Sequence, residues 1–183
     1  MAYRNANYAA FYVAEPFSPS GLGAFATPDF CHYQTLRMWR AQDATFPFVN
    51  AHDKTYDVRD GSSWEGTLKP RLRERLRGSK NIVLFLSLKT RASRALAEEM
   101  EYGVGELGLP VIVVYPDGDP IGRDGRVRDL ARDLWNKLPA FRDGMHSVPT
   151  LHVPMEKDAL REALSDPDFM VQSKCRPGTY CLS

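Results

Sequence analysis

The sequence predicts an α/β fold in which a five-stranded parallel sheet lies between two layers of helices, as a three-layer sandwich. Short apolar runs such as Val83–Leu86 show no polar alternation, which is typical of strands that are covered on both faces. Apolar residues at a period of 3.6 follow several of these runs and indicate amphipathic helices. Strands that are joined through single helices form right-handed βαβ units, and such units build a parallel sheet.

The first third of the chain contains two predicted strands and one predicted helix. The strands are Tyr8–Val13 and Phe46–Asn50, both short and largely apolar. Thr27–Asp29 supplies an N-cap, a proline and an acidic residue, which begin a helix that runs to about Arg40. The polar segment Ala51–Gly61 is long for a connection between a strand and a helix, so we expect it to be functional.

A second helical segment and a strand–helix unit follow. Ser62 and Glu65 have the spacing of a capping box, and leucines recur every fourth residue after them. Pro70 lies inside this helix and should kink it or split it in two. The strand–helix unit is then predicted at Asn81–Ser87 and at about Ser93–Leu107.

Strands and helices continue to alternate up to residue 165, and the residues from Asp166 onward show no usable period. We therefore predict a single domain over residues 1–165 and a tail over residues 166–183 that is either packed on the domain or flexible. The elements predicted in this part are the strand Leu109–Tyr115, the helix Val127–Leu138, the strand Val148–Val153 and the helix Asp158–Leu164.

A ligand crevice is predicted from this arrangement of elements. Five such strands favour a flavodoxin-like order of 2-1-3-4-5. Ligands in these folds bind beyond the carboxyl ends of the strands where the strand order reverses, here between the first and third strands. This rule places Tyr12–Glu15, Ser87–Arg91 and Glu99 around one crevice.

Glu99 is the carboxylate of the helix Ser93–Leu107 that is best placed to face that crevice. At about 100° per residue, Glu99 falls at the edge of the apolar stripe, whereas Glu98 and Glu101 point well away from it. The alternative is an ordinary boundary glutamate on an amphipathic helix. The neighbours of Glu99 on this side are small and leave room for a ligand: Ala92, Ala95 and Gly103.

Composition and motifs exclude several classes of function. A net charge of +1 predicts no general attraction to nucleic acid or to a membrane surface. No apolar window is long enough for a membrane span and no signal peptide is recognisable, so we expect a cytoplasmic protein. Three cysteines without metal-ligand spacing indicate a reducing compartment and no metal site. Phosphate-binding glycine motifs and the GxSxG elbow are missing from the sequence.

Two polar groups of residues leave alternatives open. The basic stretch Lys69–Lys80 alternates arginine with leucine and lacks aromatic residues, which favours a solvated helix face over nucleic-acid binding. His52 and Asp53 follow the second predicted strand. They either act as a base and its orienting group, or contact ribose hydroxyls, or belong to a surface turn.

Three stretches together carry a resemblance to a known family: AFYV, HDKTYDVRDGSSWEGTLKPRLRERLRGSKNIVLFLS and SRALAEEMEYGVGELGLPVIVVYPD. With these stretches, about Tyr8 to Asp117, the chain resembles the TIR-like family of bacterial antiviral proteins, which includes the TIR subunit of the Thoeris antiphage system. The resemblance implies a TIR fold and the cleavage of NAD, which is a substrate and not a cofactor. The catalytic glutamate of the family falls on Glu99, because Met100 fills the apolar position that follows it. Many catalytic TIR domains have tryptophan four residues before this glutamate, where this chain has Ala95.

The function implied by the resemblance is an NAD glycohydrolase or ADP-ribosyl cyclase-like enzyme of an antiphage system. Its product is an ADP-ribose-derived signal, cyclic or conjugated, that activates a separate effector. The implied partners are NAD, a phage-derived trigger protein and further copies of the chain joined through TIR surfaces. The site that we predict contains Glu99 as the catalytic residue, with the substrate-binding residues Phe11, Tyr12, Asp53, Ser87 and Arg91.

The sequence leaves two other functions open. A non-catalytic TIR adaptor that acts through assembly is favoured by Ala95, and the segment Ala51–Gly61 would then join neighbouring protomers. A nucleoside deoxyribosyltransferase is the other alternative, since such enzymes also use a glutamate on a similar fold.

Overall fold

A computed structural model of the chain describes residues 4–12, 29–52, 63–172 and 175–182. Its centre is a five-stranded sheet in which all neighbouring strands are parallel. The strands lie in the order β1-β2-β3-β4-β5. They are β1 (Ala6–Ala10), β2 (Ser79–Phe85), β3 (Val111–Tyr115), β4 (Pro149–Pro154) and β5 (Gly178–Cys181).

Helices lie between successive strands. Among the described residues, no helix is long and apolar enough to cross a membrane. Two π-helical segments adjoin them, Trp64–Leu68 before α2 and Glu101–Glu106 after α3. The α-helices are α1 (Phe30–Gln42), α2 (Lys69–Arg77), α3 (Arg94–Met100), α4 (Asp129–Asn136), α5 (Pro139–Gly144) and α6 (Lys157–Ser165), with short 3-10 turns at Met145–Ser147 and Pro167–Phe169.

The sheet separates two hydrophobic cores. The first core packs one face of the sheet against α2, α3, α4 and α5, and the second packs the other face against α1 and α6. The side chains of β1 alternate between them, with Tyr8 and Ala10 in the first core and Ala9 in the second. These layers confirm the predicted α/β three-layer fold with a five-stranded parallel sheet.

The predicted strand order 2-1-3-4-5 is not confirmed. Residues 46–50 lie beside β1 but pair with it only through a single parallel bridge between Asn50 and Asn7. Pro47 has no N–H to offer a ladder, and the N–H of Val49 donates to the side-chain oxygen of Asn7 at 2.7 Å. The fifth strand is instead β5, which comes from the predicted tail and pairs with β4.

A chain of buried amides connects the two ends of the fold. Asn7 Nδ2 donates to Asn81 Oδ1 at 2.8 Å, and Asn81 Nδ2 donates to the carbonyl of Phe169 at 2.9 Å. Both asparagines are inaccessible to solvent, so these bonds satisfy polar groups that would otherwise destabilise the core. Through them the residues after α6 contact β1 and β2. The division of the chain at residue 165 stays a prediction.

Most predicted boundaries shift by a few residues, and the first strand ends before Phe11 instead of at Val13. Pro70 splits its helix as predicted, since it lies in the first turn of α2 behind the π-helical segment. The cap of that segment is Ser63, whose hydroxyl accepts a bond from the N–H of Gly66 at 3.0 Å; the predicted cap Ser62 lies outside the described residues.

The glycines after α3 give a test of the packing in the first core. A Cβ at Gly103 would lie 2.6 Å from Ile82 Cδ1 and 3.2 Å from Leu76 Cδ2, whereas a Cβ at Gly105 would meet nothing within 4 Å. We expect Gly103→Ala to lower the free energy of unfolding by about 1–3 kcal/mol. Gly105→Ala should leave it unchanged or raise it by up to about 1 kcal/mol. Urea unfolding of both variants measures this difference, and equal losses would contradict the packing.

Candidate active site

Glu99 lies near the end of α3 with its side chain turned toward the sheet. Ser93 begins the helix, because its hydroxyl accepts a bond from the N–H of Leu96 at 3.2 Å. Leu96 and Met100 are fully buried in the first core and determine how the helix is rotated about its axis. That rotation leaves Glu99 only 9% exposed.

The carboxyl group of Glu99 has two unequal oxygen atoms. The phenol of Tyr8, in the middle of β1, donates to Oε1 at 2.8 Å. Oε2 is buried and has no hydrogen-bond partner among the residues that the structure describes. The protein therefore holds one oxygen and leaves the other without a partner among the described residues.

Burial changes the acidity of both members of this pair. Burial raises the pKa of Glu99 to about 8, against the opposing effects of the Tyr8 hydrogen bond and of the positive charge of Arg75. Burial and the neighbouring carboxyl raise the pKa of Tyr8 well above its ordinary value, so the phenol remains a donor. At neutral pH Glu99 is therefore mostly protonated, and a cation placed beside it would favour the ionised form.

Arg75 and His52 extend this pair into a cluster. The ring of His52 lies 4.8 Å from that of Tyr8. His52 Nε2 is 3.0 Å from the carbonyl of Ala9, and His52 Nδ1 is 3.3 Å from Nη1 of Arg75. Because the carbonyl only accepts and the guanidinium only donates, this geometry assigns a neutral imidazole with its proton on Nε2. His52 thus lies in a turn, half-buried, with its ring against the site.

Glu98, which we expected to point away from the apolar stripe, is as buried as Glu99 at 9% exposure. Its partners explain this result. Arg73 Nε donates to Glu98 Oε1 at 2.6 Å, and Lys69 Nζ lies 3.4 Å from Oε2. Part of the basic stretch therefore covers a carboxylate of α3 and is not a fully solvated face. Glu101 is exposed, as expected.

The two predicted residues that follow β1 lie on opposite faces of the sheet. Tyr12 packs against the first core, on the same side as Glu99. Phe11 packs against the second core, where its ring stacks on Tyr33 at 5.4 Å. Only Tyr12 of these two therefore shares a face with Glu99.

Ser87 and Arg91 have partners within the loop after β2 and at the start of α1. Ser87 Oγ donates to Asp29 Oδ1 at 2.5 Å, and Thr90 Oγ1 donates to Asp29 Oδ2 at 3.1 Å. The guanidinium of Arg91 donates to the carbonyls of Leu88 and Thr90. These bonds join the loop to α1, and a role in substrate binding stays a prediction for both residues.

The predicted site residue Asp53 lies outside the described residues. Sequence reasoning missed Tyr8 and Arg75, which the structure places at Glu99. One signal pointed to Tyr8: a tyrosine inside a strand that is buried on both faces needs a partner for its hydroxyl. Arg75 had no such signal, because it is one of several similar arginines in the basic stretch.

Two cavities formed by described residues are not lined by Glu99. The first has a volume of about 300 Å³ and lies at the edge of the sheet, between α1 and residues 48–50. The second lies beyond the carboxyl ends of β2 and β3, beside α4. Glu99 is the candidate catalytic residue because of its burial and its raised pKa, and not because it lines a cavity. Within the described part of the chain, no group of three or more acidic, histidine or cysteine residues could hold a metal ion.

Comparison with known proteins identifies a matching family and solved structures of similar fold. The family described as "Thoeris protein ThsB, TIR-like domain" matches residues 8–121, more than half of the chain. The match includes Tyr8, His52, Arg75 and Glu99. A crystal structure of a conserved protein from Enterococcus faecalis V583 is similar with a TM-score of 0.48 and 17% identity, over 87% of this chain and 96% of that chain.

The buried carboxyl predicts a pH-dependent difference in stability between the parent and Glu99→Gln. The folded parent retains a proton that the unfolded chain releases near its ordinary pKa of 4.5, so the parent loses stability as the pH rises from about 4.5 to about 8. Glutamine does not titrate, so the variant should match the parent near pH 5 and exceed it near pH 9, by at most about 1.4 kcal/mol per unit of pKa shift. Urea unfolding across this range measures the difference; a difference that stays constant with pH would contradict the burial of a titrating group.

Proposed function

Because the chain belongs to the Thoeris ThsB TIR-like domain family, we propose that it is an antiphage-defence enzyme that cleaves the nicotinamide–ribose bond of NAD. Glu99 is the catalytic residue in this proposal. The observation that supports it most is a buried carboxyl group with one oxygen held by Tyr8 and the other without a protein partner among the described residues. The enzyme acts in the cytoplasm after a phage-derived trigger and makes an ADP-ribose-derived signal for a separate effector.

The reaction suits a site with one carboxylate. The bond between the ribose carbon and the pyridinium nitrogen breaks, and its electron pair moves to the nitrogen, so nicotinamide leaves as a neutral molecule without a general acid. Positive charge then develops on the ribose, as in the oxocarbenium-like state of glycoside hydrolysis. A fixed carboxylate stabilises this charge more strongly when water is excluded.

The raised pKa of Glu99 fits this role once substrate is bound. The pyridinium of NAD carries a positive charge, and a positive charge near a carboxyl group favours its ionised form. Substrate binding therefore releases the proton of Glu99 to solvent and leaves a poorly solvated carboxylate next to the ribose. Arg75 lowers the pKa of Glu99 in the same direction, although burial has the larger effect.

The group that attacks the ribose carbon determines the product. Water gives ADP-ribose, an internal hydroxyl or an adenine nitrogen gives a cyclic isomer, and an added small molecule gives a conjugate. A closed site that excludes water would favour the last two.

A non-catalytic adaptor is the second candidate, and Ala95 is the observation that favours it. Many catalytic TIR domains have tryptophan at this position. The half-buried Ala95 offers a substrate a smaller contact surface than tryptophan would. An adaptor would act through contacts between copies of the chain and would need no ionisable group at Glu99.

Nicotinamide release from NAD, with and without phage lysate, tests the proposed enzyme. We expect Glu99→Gln to lower the rate by about 100-fold to 1,000-fold, because it removes the charge that stabilises the transition state. Glu101→Gln, an exposed change at the start of the π-helical segment that follows α3, is the matched control and should keep the parental rate. Glu98→Gln tests whether the catalytic glutamate is instead the preceding residue of α3, and its stability is measured in parallel because its ion pairs contribute to packing.

Three outcomes would contradict this assignment. Equal release by Glu99→Gln and the parent would exclude Glu99. A parent that is inert under every trigger yet assembles in light scattering would support the adaptor. Base exchange on deoxynucleosides would support a deoxyribosyltransferase.

The pH dependence of NAD cleavage gives a separate prediction. The ratio kcat/KM reports ionisations of the free enzyme, so it should rise with pH and level off near the Glu99 pKa of about 8. The corresponding limb of kcat should lie at lower pH, because the bound cation favours the carboxylate. Rates measured at several substrate concentrations from about pH 6 to about pH 9 separate the two, and a flat kcat/KM over this range would exclude a protonated Glu99 in the free enzyme.

A further inference from the structure

We propose that Tyr8 is the positioning residue of this site, because its hydroxyl holds Oε1 of Glu99 and thereby directs Oε2 toward the ribose of the substrate. This inference rests on the proposed cleavage of NAD by Glu99. In this proposal Tyr8 acts through Glu99 and does not itself contact the substrate.

The position of the Tyr8 hydroxyl is determined by the sheet. Tyr8 lies opposite Ile82 in the ladder between β1 and β2, and its side chain is 1% exposed. The ring of His52 lies 4.8 Å away, tilted by 53°, and the carbonyl of Ala9 holds that imidazole through Nε2. Strand pairing and packing thus restrict the phenol that donates to Glu99.

A hydrogen bond is needed to fix the orientation of the carboxyl plane of Glu99. The last torsion of a glutamate side chain has a broad energy minimum, so packing of the aliphatic part alone does not fix the orientation of the two oxygens. The bond of 2.8 Å from Tyr8 selects one orientation. Without it, both oxygens of a buried carboxyl group would lack a hydrogen bond among the described residues, an unfavourable arrangement in a folded core.

The charged and titratable groups around Glu99 predict the direction of the electrostatic effect. Tyr8 faces it from β1 and Arg75 from α2, and both lower its pKa. Glu98, the neighbouring acid on α3, is paired with Arg73 and Lys69. Removing the Tyr8 hydroxyl therefore removes one of the two described groups that favour the ionised form of Glu99.

Tyr8→Phe tests the role, with Tyr180→Phe as the matched control. Tyr180 lies on β5, and its hydroxyl donates to the carbonyl of Arg176. We expect Tyr8→Phe to lower kcat by about 10-fold to 100-fold, as for a lost donor in a catalytic site, with KM within about three-fold of the parent. The pH at which kcat/KM rises should be higher in Tyr8→Phe, because the lost hydrogen bond lowers the pKa of Glu99 in the parent. It should be unchanged in Tyr180→Phe.

Carbon-13 NMR of the side-chain carboxyl carbons provides a readout that does not need NAD, with the Glu99 signal assigned from Glu99→Gln. We expect a higher Glu99 pKa in Tyr8→Phe than in the parent. Where Tyr8→Phe does not fold, 3-fluorotyrosine at position 8 replaces it: this stronger donor should lower the pKa of Glu99 and move the limb to lower pH.

The outcomes separate this inference from the proposed function. An inert parent would overturn NAD cleavage, and the shift of the Glu99 signal would still show whether Tyr8 holds the carboxyl. An active parent with the same carboxyl titration and the same pH limb in Tyr8→Phe would overturn the positioning role and leave the catalytic role of Glu99 in place. A loss of rate without either shift would also overturn it, since a structural defect alone has that effect.

Discussion

The hydrogen bond between Tyr8 and Glu99 is the contact on which the candidate site depends. It joins β1 to α3 across the first core, between residues 91 positions apart in the chain. A carboxyl group in this place loses most of its hydration, and a single phenol compensates only part of that loss. The fold therefore maintains a carboxyl group whose pKa lies well above its ordinary value.

The packing around this contact explains why it is maintained. Leu96 and Met100 fix the rotation of α3, and the buried amides of Asn7 and Asn81 tie β1 to β2 and to the residues after α6. The phenol and the carboxyl group thus belong to rigid elements. A site built on a strand and a helix holds its groups more accurately than one built on loops.

Two adjacent glutamates of α3 show how partners determine chemical roles. Glu98 and Glu99 are equally exposed, at 9% each. Glu98 forms ion pairs with Arg73 and Lys69, so its charge is matched inside the protein and stabilises the contact between α2 and α3. Glu99 contacts a neutral phenol and keeps one oxygen without a partner among the described residues, so no charge of the protein is paired with it there.

The sequence alone specifies the layers and most elements and places Glu99 at the edge of the apolar stripe, because apolar runs, caps and helical periodicity are local properties of the chain. The folded chain alone establishes the replacement of the predicted second strand by β5, the burial of Glu98, and the cluster of Tyr8, His52 and Arg75. Strand pairing, ion pairs and buried hydrogen bonds join residues far apart in the chain, so no local pattern specifies them. The orientation of Glu99 follows from helical period, but its acidity comes from the elements packed over it.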